Sequence, residues 1–126
     1  MRDARSLRVL VAQLNLTVGD VDGNTERIVG VLDQARASAV DVAVFPELAV
    51  SGYPPEDLLM RPAFIAECEA AVGAIAAATH GLTAIVGFPD RVGDDVANAA
   101  AVMHDGALID VYHKVYLPNY GVFDEE

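Results

Sequence analysis

The run Val42-Ala43-Val44-Phe45-Pro46-Glu47, continued by Leu48-Ala49-Val50-Ser51-Gly52-Tyr53-Pro54-Pro55-Glu56-Asp57-Leu58-Leu59, decides how the rest of the chain is read. Four apolar residues ahead of a proline suit a strand buried on both faces. Pro46 has no N–H for a sheet ladder, so the strand is expected to stop there. The next side chain is the Glu47 carboxylate, set among apolar neighbours. Burial disfavours the charged form of a carboxylate, and that is how such a group becomes a general base near neutral pH. The alternative is a solvated glutamate on a loop, where most glutamates are found.

Working outward, residues 7–17 read as a first strand, with Val9, Val11 and, to a lesser degree, Leu10, Leu14 and Leu16 around Gln13 and Asn15. Residues 18–23 form a turn-rich loop, and Asp22 or Asn24 can cap a helix running to about Ser38. Ile28, Val31, Leu32 and Ala35 fall on one face of that helix. Strand, helix and a second strand over 42–45 make a βαβ unit, whose strands are expected to be parallel. Residues 49–61, with adjacent prolines and a Ser-Gly pair, read as a loop. Pro62 suits the first turn of a helix ending near Thr79, with Phe64, Ile65, Cys68, Val72, Ile75 and Ala76 as its apolar stripe. Third and fourth strands follow over 82–88 and 96–104, separated by a turn at Gly93-Asp94-Asp95. Asp105-Gly106 is a hairpin signal, so a fifth strand from 107 to about 115 returns antiparallel. The expected fold is a layered α/β domain with a mixed sheet and helices on one side. With no further helix or strand after it to close the sheet, the domain is expected to be incomplete and its bare apolar face prone to association.

The chain has 126 residues, 53% of them hydrophobic, which suffices for one domain with one core and excludes a disordered tail. Nineteen acidic residues against eight basic ones give a net charge of −11. That balance argues against nucleic acid or an anionic membrane as partner, since both need a positive patch. A single cysteine excludes an internal disulfide framework and makes a reducing, cytoplasmic setting the expectation. The longest apolar stretch, 70–78, is too short and too rich in alanine to span a bilayer.

Lys114, the only lysine, lies near the end of the fifth strand in Tyr112-His113-Lys114-Val115-Tyr116-Leu117. An ammonium close to a carboxylate can be aimed at an oxygen that gains charge in a transition state. The alternative is an exposed lysine at a strand end; strict alternation groups it with Leu108, Asp110 and Tyr112 without fixing which way that face points. Cys68 is rejected as a nucleophile because it belongs to an apolar helical stripe with no basic residue within a turn. His80, His104 and His113 are too scattered for a local metal site, and the glycine of Asp20-Val21-Asp22-Gly23 comes too early for a calcium loop. Neither a Walker phosphate loop nor a dinucleotide-binding glycine fingerprint is present.

Several segments in order resemble the nitrilase superfamily of carbon–nitrogen hydrolases: Val9-Leu10-Val11-Ala12-Gln13-Leu14-Asn15, Gly19-Asp20 with Gly23-Asn24, Phe45-Pro46-Glu47-Leu48, and His113-Lys114. Within it, residues 51–59 and Leu117-Pro118-Asn119-Tyr120-Gly121-Val122-Phe123-Asp124-Glu125 are similar to the N-terminal glutaminase domains of glutamine-dependent NAD+ synthetases. The resemblance implies an αββα sandwich with a Glu–Lys–Cys triad. In it Glu47 is the general base, Lys114 stabilises the oxyanion, and Tyr120, Tyr53 and Glu125 lie at the glutamine site. It also implies no cofactor in this domain, with ATP and Mg belonging to a synthetase domain absent here. The implied partners are L-glutamine, that synthetase domain and a second copy in a homo-oligomer.

One departure is large. The family's nucleophilic cysteine follows the lysine, whereas no cysteine follows Lys114 here. Residues 1–126 are therefore expected to be part of a glutaminase domain that ends before its nucleophile and is inactive alone. Two alternatives stay open at this point: part of a stand-alone amidase or nitrilase, and a non-catalytic remnant acting as an interaction module.

Overall fold

The computed structural model describes the backbone of residues 6–117 and the side chains of residues 6–114. Its element order is β1 (Val9–Val11), α1 (Val21–Ala37), β2 (Val42–Val44), a 3₁₀ turn (Glu56–Met60), α2 (Pro62–Ala76), β3 (Thr83–Val92), β4 (Asp95–His104) and β5 (Ala107–Leu117). The five strands form one sheet in sequence order. β1, β2 and β3 run parallel, and β4 and β5 return antiparallel. This is the mixed α/β arrangement expected from the alternation of elements.

Both helices lie against one face. The cross-strand row Leu10, Ala43, Ala84 and Met103 points into the core with Ile28, Leu32, Ile65, Cys68, Val72 and Ile75 of the helices. The expected α2 stripe is buried along its whole length, and Pro62 occupies the start of that helix. On the opposite face the row Val11, Val44, Ile85 and Val102 stays partly or largely exposed, with Val11 at 68%. β2 is thus buried on one face only, and the expectation of burial on both is corrected. A parallel strand reads as continuously apolar whether or not a second layer covers it.

Other boundaries differ for local reasons. Asp20, not Asp22 or Asn24, caps α1, its side chain accepting from Gly23 N–H. Asn24 lies inside the helix, fully buried, and ties the neighbouring loops: its amide donates to the carbonyls of Thr17 and Val50 and accepts from Thr17 N–H. β1 is three residues long rather than eleven, because β2, its only partner among the described residues, is equally short. Residues 49–61 are not wholly loop, since Glu56–Met60 winds into a 3₁₀ turn that buries Leu59. The hairpin at Asp105-Gly106 has both residues at positive φ, +50° and +90°, as a type I′ turn requires.

Candidate active site

The chain leaves β2 at Phe45, whose N–H bonds to Ile85 O, and turns across the open face of β3. Gly87 makes the crossing possible: a Cβ there would lie 2.5 Å from Leu48 N and 2.6 Å from the Pro46 carbonyl oxygen. Leu48 adopts φ +52°, a left-handed conformation that costs a non-glycine residue about 1 kcal/mol or more. It persists because the Leu48 side chain is fully buried and the turn is fastened by Gly52 N–H to Leu48 O and Val50 N–H to Gly87 O. The result is a fixed turn with Glu47 at its apex.

Across the sheet, β5 carries a β-bulge. Ala99 pairs with His113 and Asn98 with Val115, so Lys114 is the extra residue without a partner. Strand alternation puts Lys114 on the same side as Tyr112, the open face, and the bulge leaves it outside the ladder there. Its Nζ donates to Glu47 Oε2 at 3.3 Å across 67 positions of sequence. The same oxygen accepts from Asn98 Nδ2 on β4. Beneath the bulge, on the helix side, His113 Nε2 bonds to Asp90 Oδ2 at 2.7 Å.

Glu47 and Lys114, read from sequence as a possible pair, are brought together. Of the two readings of Glu47, the solvated one is found: its side chain is 45% exposed and that of Lys114 60%. The reason is the open face, over which the described residues place no second layer. Sequence reasoning missed Asn98, although a signal exists: it is the one polar residue in Val96-Ala97-Asn98-Ala99-Ala100-Ala101-Val102.

Glu47 also lines a cleft of about 180 Å³ with Leu14, Asn15, Leu16, Pro46, Leu48, Ala49, Gly52 and Tyr53. This is smaller than the several hundred Å³ typical of drug-sized ligands and suits a small polar group. Tyr53 lies on its rim, half-exposed. Tyr120 and Glu125 lie outside the described residues. Cys68 is fully buried in α2, where burial first, then the charges of Glu67 and Glu69, push its thiol up to about 12. It is therefore an inert thiol near neutral pH. Among the described residues no group of three or more His, Cys, Asp or Glu is arranged to hold a metal ion, and no helix is long and apolar enough to cross a membrane.

Residues 8–126 match the carbon-nitrogen hydrolase family. The chain is 53% identical over 120 residues to the glutamine-dependent NAD(+) synthetase of Xylella fastidiosa, covering 94% of this chain and 22% of that protein. Among solved structures it is similar to the glutamine-dependent NAD+ synthetase from Acinetobacter baumannii in complex with ADP, with TM-score 0.81, 39% identity, and 94% of this chain and 22% of that one covered. An amidase from Nesterenkonia sp. matches with TM-score 0.74 at 19% identity over 90% of this chain and 44% of that one, which shows a shared fold. The chain thus spans about a fifth of the length of the NAD+ synthetases it matches.

Proposed function

The chain belongs to the carbon–nitrogen hydrolase family, and we propose that it forms the first part of the glutaminase domain of a glutamine-dependent NAD+ synthetase. In this reading Glu47 takes the proton from a nucleophilic thiol, and Lys114 faces the amide oxygen as it becomes negative. Attack on the side-chain amide of glutamine forms a C–S bond. Collapse of the tetrahedral intermediate breaks the C–N bond and releases ammonia, with the proton held by Glu47 going to the leaving nitrogen. Water then hydrolyses the thioester to glutamate. Cys68 cannot be that thiol, because it is buried within α2. The length of the relatives supports placing the nucleophile, and a synthetase domain that uses ATP and Mg, in polypeptide beyond these residues. Tyr53 is proposed to border the glutamine side chain; Tyr120 and Glu125 are carried in the same proposal from sequence. A cytoplasmic setting and assembly with further copies complete it.

The observation that carries the reading is the 3.3 Å pair between Lys114 Nζ and Glu47 Oε2 at the edge of a small cleft. Protein translated from the complete reading frame tests it. NAD+ formation from glutamine, ATP and deamido-NAD+ is expected. Glu47→Gln is expected to abolish the glutamine-dependent reaction while leaving the reaction with added ammonia. Unchanged glutamine use by Glu47→Gln would overturn the reading. The 126-residue chain alone is expected to release no ammonia from glutamine.

A further inference from the structure

We infer that Asn98 is the positioning residue that fixes the Glu47 carboxylate and dedicates its Oε1 atom to proton transfer. The inference rests on the role proposed above for Glu47.

Asn98 is the only polar side chain between Val96 and Met103, and it is 6% exposed. A buried amide must find partners or destabilise the fold, so its presence among alanines calls for a reason. Its Nδ2 donates to Glu47 Oε2. The amide orientation is fixed by chemistry: turned over, the amide would set its oxygen against a carboxylate.

Lys114 donates to the same Oε2. Both hydrogen bonds to the carboxylate from described residues therefore fall on one oxygen, and Oε1 is the atom left to accept a proton. The two donors are not equivalent. Lys114 ends a long side chain, 60% exposed, and an exposed ion pair holds its geometry weakly. Asn98 has a short side chain in mid-strand, locked by a sheet that pairs it with Pro89 on one side and Val115 on the other. Asn98 can thus hold the Glu47 rotamer while the Lys114 ammonium moves toward a developing oxyanion.

The placement also couples the two catalytic candidates. Asn98 sits at the register shift that releases Lys114 from pairing. The strand position that orients the carboxylate is the one beside which Lys114 leaves the ladder. A one-residue slip of β5 would separate Lys114 from both.

The test uses protein translated from the complete reading frame and steady-state glutamine hydrolysis. Asn98→Ala is expected to lower kcat about 10- to 100-fold, the size of loss seen when the hydrogen-bond partner that orients a metal ligand is removed. KM for glutamine is expected to stay within about threefold, since the amide does not touch substrate. Asn98→Asp, similar in volume but unable to donate when ionised, is expected to lose more than Asn98→Ala.

A kcat within about twofold of wild type in Asn98→Ala would overturn the inference. So would a loss confined to KM or melting temperature with kcat unchanged, which is what a purely structural role produces. If Asn98→Ala does not fold, Asn98→Ser is measured by the same criteria. Glu47→Gln, run in parallel, separates the two failures. Activity surviving in Glu47→Gln sinks the glutaminase reading itself. Activity lost in Glu47→Gln but kept in Asn98→Ala sinks only the role of Asn98.

Discussion

The two faces of the sheet are held by different physics. On the covered face, Leu10, Ala43, Ala84 and Met103 meet two helices through apolar side chains spaced at the natural repeats of strand and helix. Such packing tolerates changes that conserve volume and supplies most of the stability. On the open face, Glu47, Asn98 and Lys114 come from a turn and two strands and depend on single backbone devices. These are a glycine that admits a crossing chain, a leucine in the left-handed region, and a bulge. One face makes the molecule rigid and the other uses that rigidity to place charges. Stability and activity should therefore respond to different substitutions.

The largest expected effect breaks the pair on the open face. In the complete protein, Lys114→Met is expected to lower kcat for glutamine hydrolysis by about 10²- to 10³-fold, the usual loss when one donor to an oxyanion is removed. Its melting temperature should hardly move, because an exposed ion pair contributes only about 0–1 kcal/mol. Ile65→Ala is the converse. Ile65 is fully buried beneath the sheet, so its truncation is expected to cost about 2–5 kcal/mol in denaturant unfolding. Activity per folded molecule should stay near wild type. Equal losses of stability and activity in both variants would mean that the faces are not separable.

Gly87→Ala falls between these. The added methyl would lie 2.5 Å from Leu48 N and 2.9 Å from Glu47 Cα, so the turn must lift off β3. Overpacking of this kind costs about 1–3 kcal/mol. A shift of about 1 Å in Glu47 is expected to lower kcat about 100-fold as well. A variant that kept full activity would show that the turn has room the backbone contacts deny.

The covered face was legible in the sequence because its signals are local. The Phe64 to Ala76 stripe, Pro62 at a helix start and the Asp105-Gly106 hairpin each need only a few neighbouring residues, and each is found where it was read. The open face was legible only in part. Glu47 stood out through its place after Phe45-Pro46, and Lys114 as the sole lysine, but their approach spans 67 residues and depends on strand register. The bulge at Lys114 and the left-handed Leu48 have no composition signal, since both follow from how distant strands pair. The exposure of Glu47 was left open for a related reason: apolar neighbours in sequence bury a side chain only if a layer lies over that face.

The smallest expected effect probes the polar exception on the covered side. Glu69 of α2 accepts from Arg91 N–H at 2.9 Å and lies beside Asp90, which itself holds His113. Burial first, then its hydrogen bond and charge contact with Asp90, raise the Glu69 carboxyl above its ordinary value near 4.5, while the Arg91 N–H opposes them. A carboxyl raised in the folded state holds its proton longer than in the unfolded chain. The stability it contributes is present in full below about pH 4.5 and is lost as pH rises through the folded value. Glu69→Gln keeps an oxygen for Arg91 N–H and removes the charge. The variant should be more stable than wild type at pH 7 by about 0.5 kcal/mol, a figure kept small because the partly exposed site is screened by solvent. At pH 4 the advantage should vanish. Urea unfolding at the two pH values measures the difference, and an advantage that grew on acidification would reverse the assigned sign. Because Glu69 lies on the helix side, glutamine hydrolysis by the complete protein should stay within about twofold; a larger change would show that the Asp90–His113 clamp carries α2 electrostatics through the sheet to Lys114.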